Sequence, residues 1–169
     1  MCKDESAHSF TLIYKFHSPV TKLTYVLIAE YHFEDIFSIK FYPKQYRHSD
    51  FKYNRITNKG DIGNILVTCS QLVPILLAEY PTASFGFIGS RTVEKKSGKT
   101  EPYNINQRFK IYKYFTSLKF GTKTFEHFEY PQISGYLLIN KINTPIANKE
   151  RAIIKMFLAT YESLPDLVL

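Results

Sequence analysis

The apolar residues of this chain first recur at every second position and later, beyond residue 60, at every third or fourth position. In residues 10–16 the large apolar side chains occupy alternate positions: Phe10, Leu12, Tyr14 and Phe16. Residues 23–32 are rich in β-branched and aromatic side chains, and residues 36–42 alternate again. A period of two is typical of a half-buried strand. We therefore expect the chain to begin with three strands in a meander.

After Gly60 and Asp61 the pattern becomes helical. One stripe at three- and four-residue spacing contains Ile62, Ile65, Leu66, Cys69, Leu72, Val73, Leu76 and Tyr80. This spacing predicts a helix that packs on the sheet. Pro74 lies inside the stripe, where it lacks a backbone donor and its ring clashes with the preceding turn, so we expect a kink or an early break.

Three further strands and a final helix are predicted in the rest of the chain. Residues 83–88 are apolar enough for a buried strand, and residues 124–130 and 135–141 have the composition of two more. Residues 147–163 predict the last helix, packed through Ile153, Met156, Phe157 and Thr160.

A second helix is predicted between these strands. Asn104 or Asn106 can cap its start, and Gly121 ends it. Its inward face is predicted to consist of Phe109, Ile111, Tyr112, Phe115 and Leu118. The element order is then β-β-β-α-β-α-β-β-α, and the fold class is α+β: one globular domain over residues 1–169, with a largely antiparallel sheet covered by helices. The polar residues at about 93–103 predict a mobile basic loop.

The positive charge is concentrated in two segments of a chain whose net charge is +7. Residues 91–123 contain nine Lys and Arg against two Glu, and residues 40–59 contain six Lys and Arg against one Asp. Aromatic residues alternate with the cations in both. This pattern is typical of a surface that binds an anionic partner.

The predicted partner surface combines the cations of both segments with one exposed aromatic residue: Lys44, Arg47, Lys52, Arg55, Lys95, Lys96, Lys99, Tyr103, Lys110 and Lys113. Cations neutralise phosphates and exposed rings stack on unpaired bases, so single-stranded nucleic acid fits better than a duplex. An acidic protein that docks on an interaction or regulatory module is the alternative partner. The same charges are also compatible with a solvated face that serves solubility alone.

A compact anion site is predicted where a strand ends and the next helix begins. Its residues are Ser90, Arg91, Thr92, Asn106 and Arg108. Hydroxyls, helix N-terminal amides and a planar guanidinium are all donors that bind phosphate. The competing interpretation is local: turn hydrogen bonds at Ser90 and Thr92, a helix cap at Asn106, and an ion pair at Arg108.

Three short motifs carry a resemblance. They are a helix that ends in Tyr80-Pro81, a strand that ends in Gly89-Ser90, and a helix with Arg108-Phe109-Lys110-Ile111-Tyr112. In these motifs the chain resembles small bacterial proteins that carry only a domain-of-unknown-function label. The resemblance covers about the central third of the chain and implies an α+β fold; it implies no activity.

The sequence favours a binding protein over an enzyme. No nucleophile elbow, phosphate-binding glycine loop or metal-ligand spacing is evident, so no metal and no cofactor are predicted. His127 and Glu129 share a strand face and could exchange protons, although a surface ion pair accounts for them equally. An enzyme acting on a phosphate-containing substrate would use Ser90, Arg91, Arg108 and His127. Cys2 and Cys69 are expected to be free thiols, and we expect a cytoplasmic protein without a membrane span.

Overall fold

A computed structural model describes residues 9–54, 59–92 and 100–160 of the chain. Its strands are β1 (Phe10–Ser18), β2 (Leu23–His32), β3 (Ile36–Pro43), β4 (Ser84–Ile88), β5 (Phe125–Tyr130) and β6 (Gly135–Asn140). Its helices are α1 (Ile62–Ser70), α2 (Leu72–Glu79), α3 (Gln107–Lys119) and α4 (Ile146–Thr160), with 3-10 turns at Lys44–Tyr46 and Pro131–Ile133. The predicted α+β fold is confirmed, with the first predicted helix divided in two.

The six strands form one sheet in the order β1-β2-β3-β4-β6-β5. Every neighbouring pair is antiparallel except β3 and β4, which run parallel. The parallel register is short, with Ile36 opposite Ser84 and Ser38 opposite Gly86. It arises because α1 and α2 carry the chain back across the sheet before β4 begins. The sheet therefore consists of two antiparallel halves that meet along one parallel seam.

Side chains alternate between the two faces of the sheet, as the period of two predicts. Phe37 and Phe85 lie on the face covered by α1, α2 and α3, within the larger apolar cluster. Ile36 and Leu137 lie on the opposite face, where Ile153 of α4 packs against them. Helices thus pack on both faces of the sheet.

The break between α1 and α2 occurs just before the predicted position. Pro74 lies in the first turn of α2, and the carbonyl its ring would meet in a continuous helix is that of Ser70, where α1 ends. The N–H of Gln71 donates to the carbonyls of Val67 and Thr68, at 3.3 and 3.2 Å.

By length and composition alone, the 18 residues Ile62–Glu79 could cross a membrane. In the structure, their apolar stripe packs against the sheet.

Helix α3 begins after Asn106, one of the two predicted caps. Phe109 is buried as predicted, but the prediction that Leu118 faces inward is wrong, since its side chain is 69% exposed. At 3.6 residues per turn, Leu118 lies half a turn around the helix from Phe109. Thr116 is buried in its place. The core-facing stripe of α3 is therefore narrower than the sequence suggested.

The predicted mobile loop falls largely on residues 93–99, which lie outside the described residues. Glu101, in the last part of this predicted loop, donates its N–H to the carbonyl of Thr92 at 3.0 Å.

Cys69 is a buried free thiol whose pKa is raised to about 12 by desolvation. Cys2 also lies outside the described residues.

Candidate anion-binding surface and adjoining cavities

The two basic segments meet in space. The side-chain amide of Asn54 donates to the carbonyl of Arg91 at 2.6 Å. One nitrogen of the Arg108 guanidinium, Nη1, donates to the carbonyl of Tyr53 and, at 3.1 Å, to the carbonyl of Ser90. These three hydrogen bonds join residues 53–54 to residues 90–91 and to α3. We call Tyr53, Asn54, Ser90, Arg91 and Arg108 the basic junction.

Cations near the basic junction lie over aromatic rings. The Arg91 guanidinium carbon is 3.7 Å from the centroid of the Tyr103 ring, and its Nη2 donates to the Tyr103 hydroxyl at 3.0 Å. Lys52 Nζ lies 5.1 Å from the centroid of Tyr42 and 5.3 Å from that of Tyr53. Cation–π contacts hold these charges in defined positions. Because Tyr103 is 46% exposed, Arg91 and Tyr103 form a stacked pair at the surface.

Asn106, a predicted anion ligand, uses its polar atoms inside the protein. The residue is 1% exposed, and its Oδ1 accepts the Phe109 N–H at 2.9 Å. Its Nδ2 donates to the Gly89 carbonyl, and its backbone N–H donates to Ser134 Oγ at 3.0 Å. The arrangement is a helix N-cap that also ties the end of β4 to the start of α3.

A carboxylate of the chain itself lies at the start of α3. Glu101 Oε1 accepts the Gln107 N–H at 2.6 Å, and Oε2 accepts the Thr92 N–H at 3.0 Å. Partial burial acts to raise the pKa of Glu101, but the hydrogen bonds from Gln107 and Thr92, together with the charge of Arg108, lower it overall. The N–H groups of Thr92 and Gln107 therefore donate to Glu101, and binding of an external phosphate stays a prediction.

Replacing Glu101 with glutamine is expected to lower the free energy of unfolding by about 1 kcal/mol near neutral pH, because two hydrogen bonds to a charged acceptor are weakened. A depressed carboxyl pKa stabilises the fold above the unfolded-state pKa, and this contribution is lost as pH falls through the folded-state pKa. Urea unfolding of both proteins should thus differ at pH 7 and converge in acid. Glu79→Gln, an exposed change at the C-terminal end of α2, should show no such loss. A pH-independent difference would contradict this role.

The guanidinium of Arg108 is partly desolvated by the surrounding protein. Desolvation lowers its pKa, while Tyr112 and Glu101 act in the opposite direction. An arginine side chain nevertheless stays protonated in proteins. Arg108 is therefore a fixed positive charge in a partly desolvated position.

The remaining predicted surface residues divide into three groups. Lys44, Arg47 and Lys110 are exposed, and Arg47 Nε donates to His48 Nε2 at 2.9 Å. Lys113 forms an ion pair with Glu129 at 2.6 Å, so its charge is matched within the protein. Outside the described residues lie Arg55, Lys95, Lys96 and Lys99.

A cavity of about 290 Å³ opens beside the basic junction, and we call it the seam cavity. Strands β3 and β4 stay paired only as far as Ser38 and Gly86, and the cavity lies beyond that point. Crevices at the carboxyl ends of parallel strands are common ligand sites. Its walls include Lys40, Phe87, Arg108, Tyr112, Tyr136 and Leu137.

Polar groups along the seam cavity are held by neighbours. Lys40 Nζ lies 2.6 Å from Glu30 Oε2, which also accepts the Ser38 hydroxyl at 3.0 Å. Burial first, and then the charge of Glu30, raise the pKa of Tyr53 to about 12. Its hydroxyl therefore remains a protonated donor at neutral pH.

A second cavity, of about 280 Å³, shares Tyr53 and Arg108 with the first. Lys52, Lys59 and Asp61 line its other side. Arg108 thus lines two cavities at once. The sequence predicts Arg108 as an anion ligand but indicates neither cavity, because Tyr53 contributes a backbone carbonyl and the cavities depend on how distant strands diverge.

The residues considered for catalysis do not assemble into an acid–base pair. His127 Nδ1 lies 2.8 Å from the Tyr136 hydroxyl, and Glu129 pairs with Lys113. Within the described ranges, no group of three or more His, Cys, Asp or Glu residues could hold a metal ion.

Comparisons with models of known protein families, with curated proteins and with solved structures found no match. The resemblance to small bacterial proteins therefore stays a prediction.

Proposed function

We propose that the protein binds a polyanion, and specifically single-stranded nucleic acid, at the surface around the basic junction. The observation that carries the proposal is the contact between the two basic segments through Asn54, Arg91 and Arg108. Because most of the surplus charge of the chain lies in these segments, their contact concentrates positive potential on one region. A phosphate backbone that crosses this region can meet cations from both.

Exposed rings next to these cations favour an unpaired strand over a duplex. Tyr103 lies under Arg91 and is partly open to solvent, and Phe51 is exposed in the first segment. Aromatic and guanidinium planes stack on bases that are free of a partner, whereas the bases of a duplex are already stacked. The proposed mode is phosphate neutralisation with sequence-tolerant stacking, without catalysis.

The test is fluorescence anisotropy of labelled single-stranded RNA, single-stranded DNA and duplex DNA over a range of salt concentrations. The variant Lys44→Gln/Arg47→Gln/Arg91→Gln removes three charges that do not line either cavity. We expect wild type to prefer single strands, with affinity that falls as salt rises. Each phosphate contact contributes about 0.7 to the logarithmic salt slope, so the variant should lose about two units of slope.

The matched control removes the same charge elsewhere. Lys119, Lys123 and Lys155 are exposed; the first two lie at and beyond the far end of α3, and the third lies on α4. Their triple glutamine variant should bind almost as wild type does. Equal weakening by both variants would show non-specific attraction, and no binding by folded wild type at low salt would overturn the proposal. Binding of an acidic protein without any binding of nucleic acid would likewise overturn the proposal.

A further inference from the structure

The seam cavity has the size and lining of a small-molecule site, and it shares Tyr53, Ser90 and Arg108 with the basic junction. We propose that it binds a small aromatic anion: a planar ring between the cavity walls, with one carboxylate or phosphate group held by Arg108. This proposal stands on the cavity alone and does not need nucleic acid to bind.

The walls of the cavity suit a planar ring. Phe87 stacks on Tyr136 with ring centroids 5.5 Å apart and planes 5° from parallel, and it meets Tyr112 edge-on at 5.3 Å. Leu137 and Ile154 also contribute apolar surface to the lining. Aromatic and aliphatic walls with a few polar groups are typical of ligand pockets, and rings pack favourably in such edge and face contacts.

Part of the cavity lining is formed where β4 packs tightly against β6. A Cβ atom added at Gly86 would lie 2.9 Å from Leu137 Cδ2, so the backbone of β4 approaches this side chain as closely as glycine allows. Ile88, two residues further along the strand, lines the same cavity and is 44% exposed. The lining therefore includes both the tightly packed backbone at Gly86 and the partly exposed side chain of Ile88.

The charge of the lining favours an anion. Its described residues include Arg108 and Lys40 but no carboxylate. Lys40 pairs with Glu30, and Arg108 donates to the carbonyls of Tyr53 and Ser90. A guanidinium in a partly desolvated wall raises the local positive potential and can bind a carboxylate or a phosphate through charge-assisted hydrogen bonds. The anionic group is therefore expected at the Arg108 end, with the ring toward Phe87 and Leu137.

The experiment is isothermal titration calorimetry with three matched probes. The probes are 2-naphthoate, 2-naphthyl phosphate and the neutral 2-naphthol. We expect both anions to bind and naphthol to bind at least about tenfold more weakly, as the loss of a charge-assisted hydrogen bond implies. Whichever anion binds more tightly identifies the head group. Binding of naphthol as tight as that of both anions, or no binding of any probe, would overturn the proposal.

Variants then locate the site. Ile88→Trp and Leu137→Phe each add ring atoms to the cavity lining. At least one of these variants should weaken naphthoate binding about tenfold or more, because the filled cavity would leave little apolar surface for the naphthalene ring to contact. Arg108→Met should remove the preference for naphthoate over naphthol, while Arg108→Lys should retain part of it. Lys110→Gln, an exposed change on α3 that does not line the cavity, should have no effect. Circular dichroism establishes that each variant is folded.

The same variants separate this site from the nucleic-acid surface. Ile88→Trp should keep RNA binding, and the triple variant at Lys44, Arg47 and Arg91 should keep naphthoate binding, because none of these three residues lines the cavity. Unchanged naphthoate affinity in both cavity-filling variants would place the probe elsewhere and overturn the proposal.

Discussion

Replacing Phe37 with alanine is expected to lower the free energy of unfolding by about 4 kcal/mol, the largest effect among the changes considered. Phe37 is fully buried where the sheet meets the helices. Its ring contacts four others, with centroid distances of 4.9 Å to Tyr31, 5.2 Å to Tyr80, 5.9 Å to Phe85 and 6.3 Å to Phe10. Alanine would leave a cavity among rings that three strands and the residue after α2 hold in place, so little collapse can fill it.

Urea unfolding followed by circular dichroism measures this loss. Phe33→Ala is the matched control, because it deletes the same ring from a residue that is 68% exposed. The control should change the free energy of unfolding by no more than about 0.5 kcal/mol. Similar losses in the two variants would mean that Phe37 is not part of a fixed core.

Replacing Asn106 with alanine is expected to cost about 3 kcal/mol, well above the value for an exposed helix cap. The change removes the acceptor of the Phe109 N–H and the donor to the Gly89 carbonyl. The Phe109 N–H and the Gly89 carbonyl then lack a hydrogen-bond partner at a buried position that water does not reach. Because a Cβ added at Gly89 would lie 2.6 Å from Asn106 Oδ1, the two residues are in close contact, and a rearrangement that restores both bonds is sterically restricted.

Two further variants divide the effect of Asn106 into parts. Asn106→Asp keeps the acceptor for Phe109 but sets a carboxylate against the Gly89 carbonyl, so it should recover only part of the loss. Asn104→Ala, an exposed change two residues earlier, should be nearly neutral. A loss at Asn106→Ala of only about 1 kcal/mol in urea unfolding would show that the link to Gly89 contributes nothing beyond the cap.

Much of the fold follows from local patterns, and the exceptions have physical causes. The bounds predicted for β2 match the structure because its composition and flanking turns are local signals. The helix break lies at Ser70 and not at Pro74, since a proline disturbs the carbonyl four residues before it. Helical spacing predicts that Leu118 faces inward, but the helix turns its side chain away from the sheet. The parallel pairing of β3 with β4 depends on residues far apart in sequence, so the local period of apolar residues does not predict it.

The candidate site was predicted as a set of residues but not as an arrangement. Charge segregation indicated both basic segments, and the structure brings Arg91 and Arg108 together at their contact. The role of Glu101 was missed, although it is one of only two acidic residues in its segment and precedes a helix whose N-terminus favours negative charge. The seam cavity carries no sequence signal, because it forms where two distant strands separate.

The short parallel seam also bears on the order in which the protein folds. Strands β1, β2 and β3 are joined by short turns and can pair as soon as they are synthesised, whereas Ile36 meets Ser84 only after α1 and α2 have been crossed. Closing so long a loop costs entropy before any seam contact forms, so the two halves of the sheet should join late. The space beside Arg108 would then exist only in the finished protein, and a folding intermediate with both hairpins formed would still have no pocket.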